Sequence, residues 1–293
     1  VAPGLGKIGA AAAPAVIDEL KACQALPDKV GIRVSRAMSV VEALGSVAVD
    51  AAPLVVPFLG DGHNNGSLKA LVAIGPEGLP AVCRGLELDD ARMPVYVSYV
   101  LSELQPKSVT ALVAYADKAP ALGRERAAWV FAHLKAPAGT EAAPLLCRLL
   151  ADDNTAIAEP AAEALKAMGA GAANDVTELL NAESAEVRAR AADVLGFFGA
   201  GARPAVGLLE KLLASQDREA TLMAASTLLR IDQNHQNALK KLEKLLGSSD
   251  KSDRTLALRA LLRAGRSAKN LVSVVKKLLE DVEVDVRERA VQV

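Results

Sequence analysis

Aromatic side chains are scarce: one tryptophan, three tyrosines and four phenylalanines make up only 3% of this 293-residue chain. Large rings cannot fill a core of that make-up, so its elements must approach closely through Ala, Val and Leu. Hydrophobic residues at 51% are plentiful enough for that. Strands, which favour β-branched and aromatic residues, are disfavoured. An excess of charge of one sign is also missing, since 34 Lys and Arg face 35 Asp and Glu. A net charge of −1 excludes a uniformly basic nucleic-acid binder. No apolar run reaches the roughly 18 residues that cross a bilayer, because charged residues interrupt the predicted helices, so no membrane span is expected.

Cysteine and histidine are equally few. Cys23, Cys83 and Cys147 lie on separate predicted helices with no CxxC pair, and no histidine is spaced to complete a zinc site. They read as small buried hydrophobes, and unpaired thiols fit a reducing compartment, with the cytoplasm as the expected location. His63, His133 and His235 fall in a polar turn, near a helix end and in an inter-helix loop. None forms an adjacent His-Glu pair or a local Ser-His-Asp or Cys-His signature. The GAG stretches at Gly169 to Gly171 and Gly199 to Gly201 lack both a preceding strand and GK[ST], so they read as turns and not as phosphate loops. No catalytic, metal-binding or cofactor-binding residue is predicted, and no cofactor.

What the chain does have is a register. Segments ending at the anchors Val47, Ile74, Leu104, Leu134, Met168, Phe198, Ile231 and Ala264 carry, three residues earlier, Leu44, Leu71, Leu101, Phe131, Leu165, Leu195, Leu228 and Leu261. The period is close to 32 residues, which marks a helical-repeat array. Each repeat reads as an antiparallel helix pair. In the clearest one, Ser184 caps a helix that buries Val187, Ala191, Val194, Leu195 and Phe198 on one face. Gly199 and Gly201 stop it, and Pro204 opens a second helix burying Val206, Leu209, Leu212 and Leu213. Proline recurs six residues beyond an anchor position at Pro14, Pro53 and Pro80. Two irregular places stand out: the polar run Asp61 to Asn65 with Gly62 and Gly66 shortens one first helix, and Pro160 is expected to kink or delay another.

The register predicts one all-α solenoid over residues 1–293 with repeats at 27–60, 61–88, 89–118, 119–152, 153–182, 183–215, 216–248 and 249–281, and partial repeats at 1–26 and 282–293. Leu5, Gly6 and Ile8 look like the close of a helix whose start is missing, and neither end carries a polar cap. A fragment of a longer array is therefore expected.

The segment SAEVRARAADVLGFFGAGARPAVGLLEKLL, Ser184 to Leu213, resembles HEAT repeats of the bacterial type, similar to those of phycobilin lyases; DREATLMAASTLLRI and SDRTLALRALLRAG match more loosely. The resemblance implies a right-handed α-α superhelix of the HEAT/armadillo type, with first helices convex and second helices concave. It implies a non-catalytic scaffold or recognition arm whose concave side meets a partner protein. A chromophore-handling subunit and a nucleic-acid-binding solenoid are the alternatives, and no bilin-handling residue carries over.

Two places depart from the pattern. Five residues before the anchors stand Glu42, Lys69, Tyr99, Trp129, Glu163, Asp193, Ser226 and Arg259, a position polar in six of eight repeats and so expected to face solvent. Tyr99 and Trp129 break that rule in adjacent repeats, where stacking should bring their rings together. With Tyr96 and Tyr115 they place four of the eight aromatics within 34 residues. They form either an exposed partner-binding anchor or rings folded over a neighbouring helix. The second place is basic: 237–281 holds 11 Lys and Arg against 5 Asp and Glu, whereas 151–236 holds 7 against 13. Lys240, Lys241, Lys244, Lys276 and Lys277 lie on second helices there as candidate contacts for an acidic protein surface or phosphates. Nucleic acid is disfavoured because that stretch has no ring on which a base could stack.

Overall fold

The computed structural model describes residues 9–25, 31–59, 64–134 and 140–293. Every regular element among these is helical, and no strand occurs in them. Leu5, Gly6, Ile8 and the stretch containing Asp61, Gly62 and His63 lie outside the described residues. The all-α expectation holds.

The chain divides into two compact units, Val1–Ala164 and Leu165–Val293. The first contains α1 (Ala13–Gln24), α2 (Ile32–Leu44), α3 (Ala52–Val55), α4 (Asn64–Ile74), α5 (Leu79–Arg84), α6 (Met93–Glu103), α7 (Lys107–Ala116), α8 (Ala121–His133) and α9 (Ala143–Leu150). The division falls within α10 (Thr155–Met168). The second contains α11 (Ala173–Glu178), α12 (Ala185–Phe198), α13 (Val206–Leu213), α14 (Arg218–Ile231), α15 (Gln236–Leu246), α16 (Lys251–Ala264), α17 (Val272–Lys277) and α18 (Val284–Gln292). Even-numbered helices are the first of each pair and odd-numbered ones the second.

Within each unit, helices pack in sequence order. In the first, α2 packs on α4, α4 on α6 and α6 on α8, while α1, α3, α5 and α7 form a parallel row. In the second, α12, α14, α16 and α18 make one row and α13, α15 and α17 the other. The leucine register explains this: Leu71, Leu101, Phe131, Leu165, Leu195, Leu228 and Leu261 are all at most 2% exposed. Each such side chain contributes about 1.5–3 kcal/mol by leaving water.

Helix ends follow backbone chemistry. Gly45, Gly75, Gly169, Gly199 and Gly265 directly follow α2, α4, α10, α12 and α16, all at positive φ. Gly199 has φ 53° and ψ −129°, a region essentially closed to residues with a Cβ, so the chain can reverse there into a short 3-10 turn. This corrects the first anchor. Val47 lies beyond Gly45 and is 47% exposed, so Leu44, which immediately precedes the glycine, is the equivalent of Ile74 and Phe198. Pro160 does not delay its helix, which starts at Thr155 and continues to Met168.

Residues Ile32–Phe58 are together long and apolar enough to cross a membrane. The turn at Gly45 and the non-helical Ala48 divide them. The longest helix in that stretch is α2, 13 residues, about 20 Å at 1.5 Å per residue and shorter than a hydrocarbon core of about 30 Å.

An arginine sews the turns of the second unit together. Arg188 donates to the carbonyls of Ala182 and Glu183 in the turn before its own helix and reaches Asp217 of the next repeat at 3.7 Å. Arg254 does the same with Ser248, Ser249 and Asp281, the last at 2.7 Å with side chains only 9% and 7% exposed. Arg287 donates to the carbonyls of Asp281 and Val282. In the first unit, Arg124 bonds the Ala119 carbonyl and Asp152.

Candidate functional site

The aromatic group is split by the fold. Tyr96 and Tyr99 lie on α6, three residues apart and so on one side of the helix. With Leu59, Asn65 and Leu68 they line a cleft of about 290 Å3. Tyr99 is 49% exposed, whereas Tyr96 is half-buried with the Arg92 guanidinium 5.8 Å from its ring centroid. Trp129, on α8, is half-buried. Its ring stacks on His133 of the same helix, centroids 3.8 Å apart and planes 13° from parallel. The expected approach of Tyr99 and Trp129 is thus replaced, as far as the tryptophan's stacking goes, by a partner one turn along its own helix. Tyr115 sits on a second helix, α7, with its hydroxyl against Gly123, where a Cβ would come within 2.4 Å of it. Burial, then the Glu87 carboxylate, pushes its pKa upward.

The position five before the anchor is not uniformly outward. Glu42 is exposed, as is Ser39, which takes this position once Leu44 is the first anchor; Lys69, Tyr99 and Glu163 are exposed too, and Asp193 and Arg259 half-buried. Ser226 is buried, with its hydroxyl donating to the Met223 carbonyl. The reason is the helix that carries it: α14 is packed by α12, α13, α15 and α16, and every residue from 220 to 229 is buried. No surrounding helix could be inferred from polarity at one register position.

On the second helices of the second unit, Lys240 and Lys244 of α15 and Lys276 and Lys277 of α17 are exposed, and Lys241 is half-buried. α15 packs beside both α13 and α17, so these side chains share one row of helices. First-helix and turn carboxylates in the same unit are engaged. Asp193 meets Lys166 at 3.0 Å and Arg230 at 3.1 Å, Asp250 meets Arg218 at 3.0 Å, and Glu219 meets Arg259 at 2.8 Å. Burial by itself would raise the Asp193 carboxyl, but Lys166 and Arg230 together hold it below the usual range. Gly196 makes room for this network, because a Cβ there would stand 2.8–2.9 Å from the Arg230 guanidinium.

The three cysteines are buried and free, and burial raises the Cys83 thiol to about 12, so it stays protonated at neutral pH. His235, read from sequence as a loop residue, caps α15: its Nδ1 accepts from the Ala238 N–H at 3.3 Å. The GAG stretches are the 3-10 turns Gly169–Ala172 and Gly199–Ala205.

Three contributors escaped the sequence reading. Leu59 and Leu68 wall the tyrosine cleft, and nothing in their own register marks them. A second groove of about 420 Å3 lies between α5 and α7, flanked by exposed Arg84 and Lys118 over Ala111 and Ala114. Lys211 of α13 lies in the acidic stretch 151–236, outside the basic one, although its spacing from Lys244 equals that of the adjacent anchors.

Residues 173–263 match the family of HEAT repeats. No curated protein matches the chain. Among solved structures, an archaeal HEAT-like repeats protein from Thermococcus onnurineus NA1 is similar over 75% of this chain and 95% of its own, at 16% identity and a TM-score of 0.46. An engineered protein is similar over 99% and 92%, at 21% identity and a TM-score of 0.39. Kap121p is similar over 94% of this chain and 37% of its own, at 12% identity and a TM-score of 0.45.

Proposed function

We propose that this chain is a non-catalytic, protein-binding scaffold that works without a cofactor and presents the exposed flanks of stacked helix pairs to a partner protein. Stacked repeats support that role because each pair is buried only against its neighbours, leaving long rigid surfaces whose side chains can vary without disturbing the core. The match of residues 173–263 to HEAT repeats is consistent with it.

The observation that carries the reading is Tyr99. A tyrosine 49% exposed beside a cleft walled by Leu59, Leu68 and Tyr96 offers a rigid, amphipathic ring and an apolar seat for a partner side chain. Tyrosine is among the residues enriched at the energetic centres of protein interfaces.

The test separates binding from folding. Tyr99→Ala should alter stability by no more than about 0.5 kcal/mol, as expected of a surface position, and weaken partner binding by about 2 kcal/mol, near 30-fold. Both are read on the same preparation, by thermal melting and by capture of partners on the immobilised chain. An unchanged set of captured proteins at unchanged affinity would overturn the reading.

A further inference from the structure

Lys211, Lys244 and Lys277 are spaced by 33 residues and 33 residues. They occupy one register position in three successive second helices: Lys211 in α13, Lys244 in α15 and Lys277 at the end of α17. Those helices pack side by side, α13 on α15 and α15 on α17. All three side chains are exposed, as are Lys240 and Lys276 next to them. None of the five forms an ion pair among the described residues. The contrast with the first-helix side of the same unit is physical: there Asp193, Asp217, Glu219, Asp250 and Asp281 each meet a cation. On the second-helix side, Glu210 is taken by Asn237 at 2.7 Å and His235 at 3.5 Å. Glu243 and Glu280 are the remaining carboxylates on these helices and their ends, and the lysines outnumber them.

We propose that this lysine row seats an extended, acidic segment of a partner protein, a proposal that rests on the protein-binding reading above. Spacing defines the segment. Packed helices lie about 8–10 Å apart, and an extended chain advances about 3.3 Å per residue, so carboxylates at every third position meet successive lysines. Val272 and Leu279, 45% and 43% exposed, flank Lys276 along α17 and its terminal turn, a face that suits aliphatic side chains between the acids. Nucleic acid fits this surface less well: residues 237–281 contain no Phe, Tyr or Trp for base stacking.

The experiment titrates the full chain with fluorescein-labelled nine-residue peptides, read by anisotropy at low salt and at about 0.15 M. One peptide carries glutamate at every third position among leucine and serine; its isomer carries the same residues with the glutamates adjacent. The spaced peptide should bind about tenfold more tightly. K211E, K244E and K277E should each weaken it by about threefold or more, and the triple variant should abolish it. Circular dichroism should stay unchanged, since all three positions are exposed. Equal affinity for both peptides, or full binding by the triple variant, would sink the proposal. So would tighter binding of a single-stranded or duplex oligonucleotide through the same lysines at matched salt. Tyr99 lies in the other unit, so if Tyr99→Ala still loses partners while the triple variant loses nothing, the ladder fails and the protein-binding reading stands.

Discussion

The two units build the same helix pair with different fastenings. In the first, α1, α3, α5, α6 and α9 begin with proline in the first turn and no side-chain cap. In the second, α12, α14, α15 and α16 start on Ser184, Asp217, His235 and Asp250, each accepting a backbone N–H. Proline presets φ and removes a donor that would otherwise lack a partner, but it bonds nothing; a capping oxygen satisfies a donor directly. Arginine stitches occur in both units, at Arg188, Arg254 and Arg287 in the second and at Arg124 and Arg126 in the first, where Arg126 donates to the carbonyls of Leu86 and Leu88. The stretch that matches the HEAT family, residues 173–263, lies wholly in the second unit. The regular unit carries recognisable repeats, whereas the irregular one carries the tyrosine cleft and the α5–α7 groove.

Removing the best stitch should have the largest effect on that contrast. Arg254→Ala leaves Asp281 nearly buried without its cation and the Ser248 and Ser249 carbonyls without their donor. A loss of about 3 kcal/mol is expected, read as faster hydrogen exchange in α16 to α18. The same pair sets an acid limb. A hydrogen bond from Arg254 holds the Asp281 carboxyl below the usual carboxylate range. Its contribution is therefore complete above the unfolded-state pKa of about 3.9 and disappears as pH falls through the lower folded-state value. Arg254→Ala should flatten that limb; an unaltered acid profile would show that the pair does not set it.

Asp217→Ala should cost the second unit about 1 kcal/mol, because Asp217 accepts from the Glu219 and Ala220 N–H groups at 2.9 and 3.2 Å. Denaturant midpoints at constant m-value would measure it, and no shift would mean that capping does not distinguish the units. The smallest change runs the other way. Gly31 precedes α2 in extended backbone, φ −163° and ψ 168°, and a Cβ there meets nothing closer than 4.0 Å. Gly31→Asp should add a missing cap to the first unit and stabilise it by a few tenths of a kcal/mol. Emission of Trp129, the one tryptophan and a reporter of that unit, should follow unfolding at a higher denaturant concentration; a lower midpoint would show that the cap does not form.

Much of the fold was legible in residue types alone. Leucine four positions before the turn glycine, that glycine itself and a capping residue before the next helix are local choices, each decided within a few residues. Burial of the leucines followed from their period because a helix can hide only one face against its neighbours. The first register position was misplaced because Val47 mimics an anchor in hydrophobicity, and only the positive φ of Gly45 shows where α2 ends.

The candidate surfaces were less legible, for a different reason. Sequence determined that the second helices of the last repeats are rich in lysine and that tyrosines cluster near residue 99. Only the tertiary structure decided that Trp129 stacks on His133, that Ser226 lies buried where none of its equivalents does, and that Lys211 joins Lys244 and Lys277 on neighbouring helices. Periodicity is set by each helix's own geometry, whereas exposure depends on how many neighbours surround a helix and which charges they bring, and that is settled only when distant segments meet.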